Sequence, residues 1–417
     1  MHLSKVFPLA VSAVLALSAS IVSAATVPSA VNVGYYSDWT AKDFPPSKIP
    51  FDKLTHVKYA FAVLDKATYE LKLDTGDILK EVVSLGHANN VKVDLSVGGW
   101  TGSRYFSTMA ASVKTRTAFV ESVLKTVKEY NLDGIDLDWE FPGRGGNLCN
   151  VVDKENDSKN LLLLLKELRQ KLGTEKSISM AVRVQPFDGP DGPLKDVKEY
   201  AELLDYVLIM AYDINGRWGQ TAGPNAPLKY SSKGGDQFSV TDGANAWSTA
   251  GFPAGKIVIG VPFYGRAVTV AGAAPTNDNM YVPIVKAQVK GDSDDIEPTD
   301  PKEVETNEVN TKEADTCSEP EESSGIWKWA NLRSEGVLGK EYKVANKEWT
   351  QGWDSDTSTP WIYNAAKKTL VSYDDPKSIC LKAKFARTQY AGTMIWALNQ
   401  DNGELMNAIH GAGSGAC

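Results

Sequence analysis

The sequence predicts an α/β fold: a closed (β/α)8 barrel with a small α+β domain inserted between its seventh and eighth strands. Three observations lead there. Eight short apolar runs recur along the chain, helical patterns lie between them, and the seventh interval is far longer than a crossover needs. The chain has 417 residues and 42% hydrophobic composition, enough to bury a large core.

The runs come in order. VNVGYYSDW (31–39), THVKYAFAVL (55–64), VKVDLSVGG (91–99) and GIDLDWEF (134–141) form the first half. SISMAVRV (177–184), DYVLIMAYD (205–213), KIVIGVPFYG (256–265) and GTMIWALNQ (392–400) form the second. Val, Ile and aromatics dominate with little polar alternation, which fits strands covered on both faces, as in a parallel sheet. SVKTRTAFVESVLKTVKEY (112–130) and NLLLLLKELRQKL (160–172) carry helical spacing between them. Strand, helix, strand, eight times over is the count of a (β/α)8 barrel; an open doubly wound sheet is the runner-up. Residues 267–371 are long enough for the inserted domain. Its stretch from Asp292 to Glu322 is heavily acidic and poor in apolar residues, and reads as a solvated loop.

The first 24 residues read as a signal peptide. Lys5 precedes an apolar run rich in small residues, and Val22–Ala24 offers a small-residue cleavage site. A secreted, extracellular protein follows, with the catalytic chain running over 25–417. Secretion makes the four cysteines (Cys149, Cys317, Cys380, Cys417) candidates for disulfides, with three pairings open. Asn156 heads a glycosylation sequon, Asn156–Ser158. The net charge of -8 argues against nucleic acid or an anionic membrane as partner.

GIDLDWEF poses the chemical question. In a strand, side chains two apart share a face, so Asp136, Asp138 and Glu140 line one side and Ile135, Leu137 and Trp139 the other. In a barrel the acids point inward, with Glu140 nearest the C-terminal mouth where such barrels carry their chemistry. Stacked, buried carboxylates cannot all ionise cheaply, so a proton is retained near neutral pH. Glycosidic cleavage needs such a proton for the leaving oxygen. Glu140 is therefore the expected donor, Asp138 a mobile neighbour, and Asp136 the deeper member. Asp133 breaks the alternation and has a supporting role. A calcium loop would need glycine and glutamate where Phe141 and Asn147 stand. An acidic solvent-facing strand would be destabilised by its like charges.

DGIDLDWE (133–140) resembles the D-x-x-D-x-D-x-E signature of glycoside hydrolase family 18, the chitinases and their relatives. SVGGW (96–100), MAYD (210–213) and GVPFYGR (260–266) look like the family's motifs on strands three, six and seven. The resemblance runs from Gly34 to about Asp401, and GWTGSRYFS (99–107) is most similar to fungal members. It implies substrate-assisted catalysis. Glu140 would protonate the glycosidic oxygen, and the substrate's N-acetyl carbonyl would attack the anomeric carbon to give an oxazolinium ion and overall retention. Asp138 would orient the acetamido group and Tyr212 would bond its oxygen. Asp136, Tyr35 and Ser96 would support Asp138. Met210, Asp213, Tyr264 and Arg266 would shape the cleft, Trp396 would floor the subsite at the cut, and Trp100 and Trp218 would stack on neighbouring sugars. Phe141 stands where many relatives carry tyrosine, and Ala211 where threonine or serine is common. Strand spacing alone, about 6.6 Å between same-face neighbours, would suggest an inverting pair, a rule to which this family is an exception.

The expected function is hydrolysis of β-1,4-linked N-acetylglucosamine polymers, with chitin or chito-oligosaccharides as partner, no metal, no cofactor, and a monomeric chain. The alternatives are an endo-β-N-acetylglucosaminidase acting on N-glycans, whose members generally lack the insertion, and a non-hydrolysing chitin-binding lectin, a class that usually loses the glutamate kept here.

Overall fold

The computed structural model describes residues 30–277, 279–296 and 323–412. The expected leader, most of the acidic stretch, Cys317 and Cys417 lie outside the described residues. Eight strands pair in parallel: β1 (Val31–Ser37), β2 (His56–Leu64), β3 (Lys92–Gly98), β4 (Gly134–Asp138), β5 (Ser177–Val182), β6 (Tyr206–Ile209), β7 (Ile257–Pro262) and β8 (Gly392–Trp396). Each strand bonds to its sequence neighbour, and β1 bonds to both β2 and β8, so the sheet closes into a barrel. All eight runs of the sequence are barrel strands.

The outer ring holds α1 (Gly76–Ala88), α2 (Val113–Tyr130), α3 (Asp157–Leu172), α4 (Lys198–Leu203), α5 (Val240–Thr249), α6 (Pro376–Gln389) and α7 (Glu404–Gly411). Helix ends follow local chemistry. Ser112 caps α2 by accepting from the Thr115 amide at 3.3 Å, and Asn131 closes it at φ 53°. Asp375 and Ser378 form a reciprocal capping box at the start of α6, with Pro376 in its first turn. The expected count of eight strand–helix units is modified between β1 and β2, where only 3-10 turns occur. Pro45, Pro46 and Pro50 explain this, since each lacks an amide donor and obstructs a regular helix.

Two strands end sooner than their apolar runs. Pairing stops at Asp138 in β4 and at Ile209 in β6, so Trp139–Phe141 and Met210–Asp213 belong to mouth loops. The run 256–265 divides: β7 ends at Pro262, and Tyr264–Val270 opens a second, antiparallel sheet. That sheet orders Ile284–Val285, Tyr264–Val270, Thr369–Ser372, Thr359–Asn364 and Trp349–Asp354, with Ile326–Lys328 also paired to Tyr264–Arg266. Its core includes Val268, Val270, Trp361, Tyr363 and Leu370. Asn156 is exposed at the head of α3, while Ser158 is buried and donates to the Asp188 carbonyl at 2.6 Å. Cys149 and Cys380 are each disulfide-bonded.

Between barrel and helices lies the main core, which includes Ile135, Leu137 and Trp139. Trp139 is fully buried and stacks on Phe106 with ring centres 5.3 Å apart. Trp139→Ala is expected to cost about 3–5 kcal/mol of stability through the cavity it leaves, measured by chemical denaturation. Inside the barrel the composition is lopsided. Val33, Leu208, Val258 and Met394 fill one side, whereas His56, Lys58, Asp94, Ser96, Asp136, Asp138 and Ser179 fill the other and are all buried.

Candidate active site

The acids stand on this polar side because alternation puts them there. Ile135, Leu137 and Trp139 enter the outer core, which forces Asp136 and Asp138 inward. Strand register sets Asp136 between Ser96 of β3 and Ser179 of β5, and Asp138 beside Gly98. Gly98, at φ 110°, has no room for a side chain, since a Cβ there would meet the Asp138 carbonyl at 2.3 Å. Glu140 lies beyond the last paired residue and is held by its backbone: its amide donates to Ser103 Oγ at 2.9 Å and its carbonyl accepts from Asn150 Nδ2 at 2.8 Å.

Three hydroxyls converge on Asp136. Tyr35 and Ser96 donate to Oδ2 at 2.7 and 2.8 Å, and Ser179 donates to Oδ1 at 2.6 Å. Asp138 is buried, and its Oδ1 has no hydrogen-bond partner among the described residues. Burial, together with the charges of Glu140 and Asp136, holds its carboxyl well above the usual range. Glu140 is partly accessible at the mouth, yet enclosure in the cleft and the nearby charge of Asp213 push it up to about 8. The outer acid thus keeps its proton at neutral pH.

A second constellation forms the wall. Tyr264 Oη and Arg266 Nε both donate to Asp213 Oδ1 at 2.7 Å, so the first strand of the second sheet is pinned to the loop after β6. Tyr212 is buried edge-on to Tyr264, ring centres 6.2 Å apart, and among the described residues its hydroxyl reaches only the Met394 sulfur, at 3.8 Å. Burial and the surrounding tyrosine and acids hold that phenol protonated. Met210 packs half-buried against the barrel-interior cluster.

Aromatics border the mouth. Trp100 and Trp218 are exposed, and the Arg266 guanidinium lies 5.4 Å from the Trp218 ring. Trp396 sits 5.5 Å from Tyr35 and stacks on Phe61 at 5.8 Å and 19°. Phe61 stacks in turn on Trp39, which is 61% exposed, so Trp39, Phe61 and Trp396 make a row leading out of the barrel. An exposed tryptophan buries little for the fold and offers a flat face suited to the C–H faces of sugars. Phe141 stands apart from this row and lines a small crevice with Pro142, Arg183 and Gln185.

The structure therefore joins Asp136 with Tyr35 and Ser96, sets Asp138, Glu140 and Tyr212 in one electrostatic group, and joins Asp213 with Tyr264 and Arg266. Asp133 lies elsewhere: it accepts from the Val93 amide and contacts His87 Nε2, both at 2.8 Å, on the loop before β4. Sequence reasoning missed Ser103, Asn150, Ser179, Asn225 and Trp39. Asn225 accepts from the Asp213 amide at 3.0 Å and donates to the Tyr264 carbonyl at 3.2 Å. None of the serines or asparagines has a sequence pattern that marks it, but Trp39 follows directly on the GYYSD run and its neighbouring Asp38 gave a polar flank.

A closed barrel with a protonated carboxyl at its mouth, backed by two buried aspartates and bordered by aromatics, defines a glycoside hydrolase. The chain belongs to glycosyl hydrolases family 18, whose family model matches residues 31–401. A chitinase-like effector of Moniliophthora roreri is 36% identical over 96% of this chain and 98% of its own length. A crystal structure of a chitinase from Rhizomucor miehei superposes with TM-score 0.81 and 36% identity, over 92% of this chain and 99% of that one. The Ostrinia furnacalis Group IV chitinase in complex with allosamidin matches with TM-score 0.73 and 25% identity, over 93% of this chain and 99% of its own.

Proposed function

We propose that this protein is a secreted chitinase that cuts β-1,4-linked N-acetylglucosamine polymers with retention, using the substrate's own acetamide as nucleophile. The observation that carries the reading is the pairing of a protonated Glu140 with an Asp138 oxygen that is buried and has no protein partner among the described residues. An acetamide N–H is the donor that oxygen lacks. With the amide held there and its carbonyl oxygen approached by the Tyr212 hydroxyl, the carbonyl oxygen attacks the anomeric carbon as Glu140 passes its proton to the departing oxygen. An oxazolinium ion results, and its positive charge faces Asp138. Water, deprotonated by the Glu140 carboxylate, then opens the ring and restores the acid.

The names of the chitinase relatives support the substrate class. The row Trp39–Phe61–Trp396 and the exposed Trp100 and Trp218 suit a chain of sugars. The insertion supports the chitin reading over N-glycan release. Residues 1–24 as a leader support secretion, and no helix among the described residues is long and apolar enough to cross a membrane. The effector name of the M. roreri relative makes binding without hydrolysis the second reading; the retained Glu140 weighs against it. A product time course on chitin oligosaccharides with anomer analysis tests both: β-anomeric products support the proposal, and intact oligomers with measurable binding support the second reading.

A pH dependence follows from this reading. Glu140 donates only while protonated, so kcat/KM falls as the pH rises through about 8. A pH–rate profile on a soluble oligosaccharide measures that limb, and activity still rising at pH 10 would exclude Glu140 as the acid.

A further inference from the structure

Beneath the acids lies a buried charge pair with no place in the mechanism above. Lys58 of β2 contacts Asp94 of β3, and the two side chains are 1% and 0% exposed. Lys58 Nζ also donates to Ser179 Oγ at 2.8 Å, the same hydroxyl that donates to Asp136 Oδ1 at 2.6 Å. Asp94 accepts in addition from Ser177 Oγ at 2.9 Å. A continuous polar column thus runs up the barrel from Ser177 through Asp94, Lys58 and Ser179 to Asp136.

Hydrogen-bond direction along this column is forced. An ammonium has donors only, so Ser179 must accept from Lys58, and its single proton must then point at Asp136. We propose that Lys58 is a positioning residue for the reaction: it aims the Ser179 hydroxyl at Asp136 and supplies the positive charge under the acid cluster, so that the proton the reaction uses is held at the mouth. An isolated buried lysine is costly in a barrel core, and Asp94 is what makes it tolerable. The groups facing Lys58 are Tyr35 from β1, opposite it in register, Asp94 from β3, Asp136 from β4, Ser179 from β5, Tyr206 from β6 and His56 on its own strand; β7 and β8 contribute apolar Val258 and Met394 to the barrel interior. Among these Lys58 is the charged cation, since burial and the Lys58 ammonium push His56 down to about 4, leaving it neutral at working pH. Asp94 and Asp136 both hold the ammonium protonated against its burial.

The inference rests on the hydrolase reading for its effect on rate, but its electrostatic part can be measured without turnover. Lys58→Met alone would strand the Asp94 charge and risks unfolding. The double variant Lys58→Met/Asp94→Asn removes both charges and keeps an acceptor for Ser177, and the pair is tested in the full chain. Its melting temperature reports the fold. The acidic limb of its kcat/KM profile on chitin oligosaccharides is expected to move up by about one pH unit, which is about a tenfold loss on that limb. Carboxyl 13C chemical shifts of Asp and Glu should show the same upward displacement in the buried acids. Ser179→Ala, which cuts the column but keeps both charges, should lower kcat with a smaller displacement. A folded double variant whose limb and carboxyl titrations coincide with the wild type's would overturn the proposal. A wild-type chain that does not cleave would defeat the hydrolase reading, while the carboxyl titrations alone would still decide whether Lys58 sets the proton's position.

Discussion

Glutamine in place of Glu140 leaves the barrel folded, preserves oligosaccharide binding and lowers kcat on chitin oligosaccharides by about 10²–10⁴-fold, the usual worth of a positioned acid–base group. The fold survives because, among the described residues, the hydrogen bonds that position this residue come from its backbone: Ser103 and Asn150 hold its amide and carbonyl. Stability should even improve in one direction. Glu140 holds its proton to about 8 in the folded chain, against an ordinary value of 4.5. Between those values the folded state binds more protons than the unfolded, so the wild type loses stability as pH rises through the window. Glutamine has no charge to bury. The variant should therefore melt higher than the wild type at pH 8 and alike at pH 4. Stopped hydrolysis without that pH-dependent gain would mean that Glu140 is not the raised acid, and wild-type turnover by the variant would remove it from the chemistry.

Asp138→Asn is expected to be the next most damaging change, about 10²–10³-fold in kcat, the range found when a group that stabilises transition-state charge is removed. Asparagine keeps the size but loses the negative charge that would face the oxazolinium ion, and at Oδ1 it displaces no hydrogen bond from the described residues. The matching substrate experiment is sharper. Oligomers lacking the N-acetyl group lack the nucleophile, so fully deacetylated chains should yield no product while acetylated ones are consumed. The intramolecular attack replaces a bimolecular one and carries much of the acceleration. Comparable rates on the two substrates would show that water or an enzyme carboxylate attacks directly.

Much of this was legible in the residues. Each of the eight apolar runs became a barrel strand, because a strand buried on both faces must be apolar almost throughout. The alternation of GIDLDWEF was likewise decisive, since a period of two leaves Asp136 and Asp138 nowhere but the barrel's interior once Ile135, Leu137 and Trp139 are in the outer core. Where runs ended was not legible. Met210–Asp213 and Trp139–Phe141 are as apolar and aromatic as the strands they continue, yet they lie beyond the last paired residues, some turned to the cleft and others, such as Trp139, to the core; a cleft for sugars and a hydrophobic core draw on the same residue types. The missing helix after β1 was written in three prolines and could have been read.

By itself, the sequence determined the eight barrel strands and the common face of Asp136 and Asp138, because the first follow from recurrent apolar runs and the second from a period of two along one strand. Only the tertiary structure decided which hydroxyls meet Asp136, that Lys58 and Asp94 share a buried column with Ser179, that Tyr264 and Arg266 reach back to Asp213, and that Trp39 and Trp396 both stack on Phe61. Those contacts join residues that are distant in the chain, with Tyr35 meeting Asp136 across 101 positions and Lys58 meeting Ser179 across 121. A lone serine, lysine or asparagine has no periodic signature; its role exists only once barrel closure fixes which strands are neighbours and in what register.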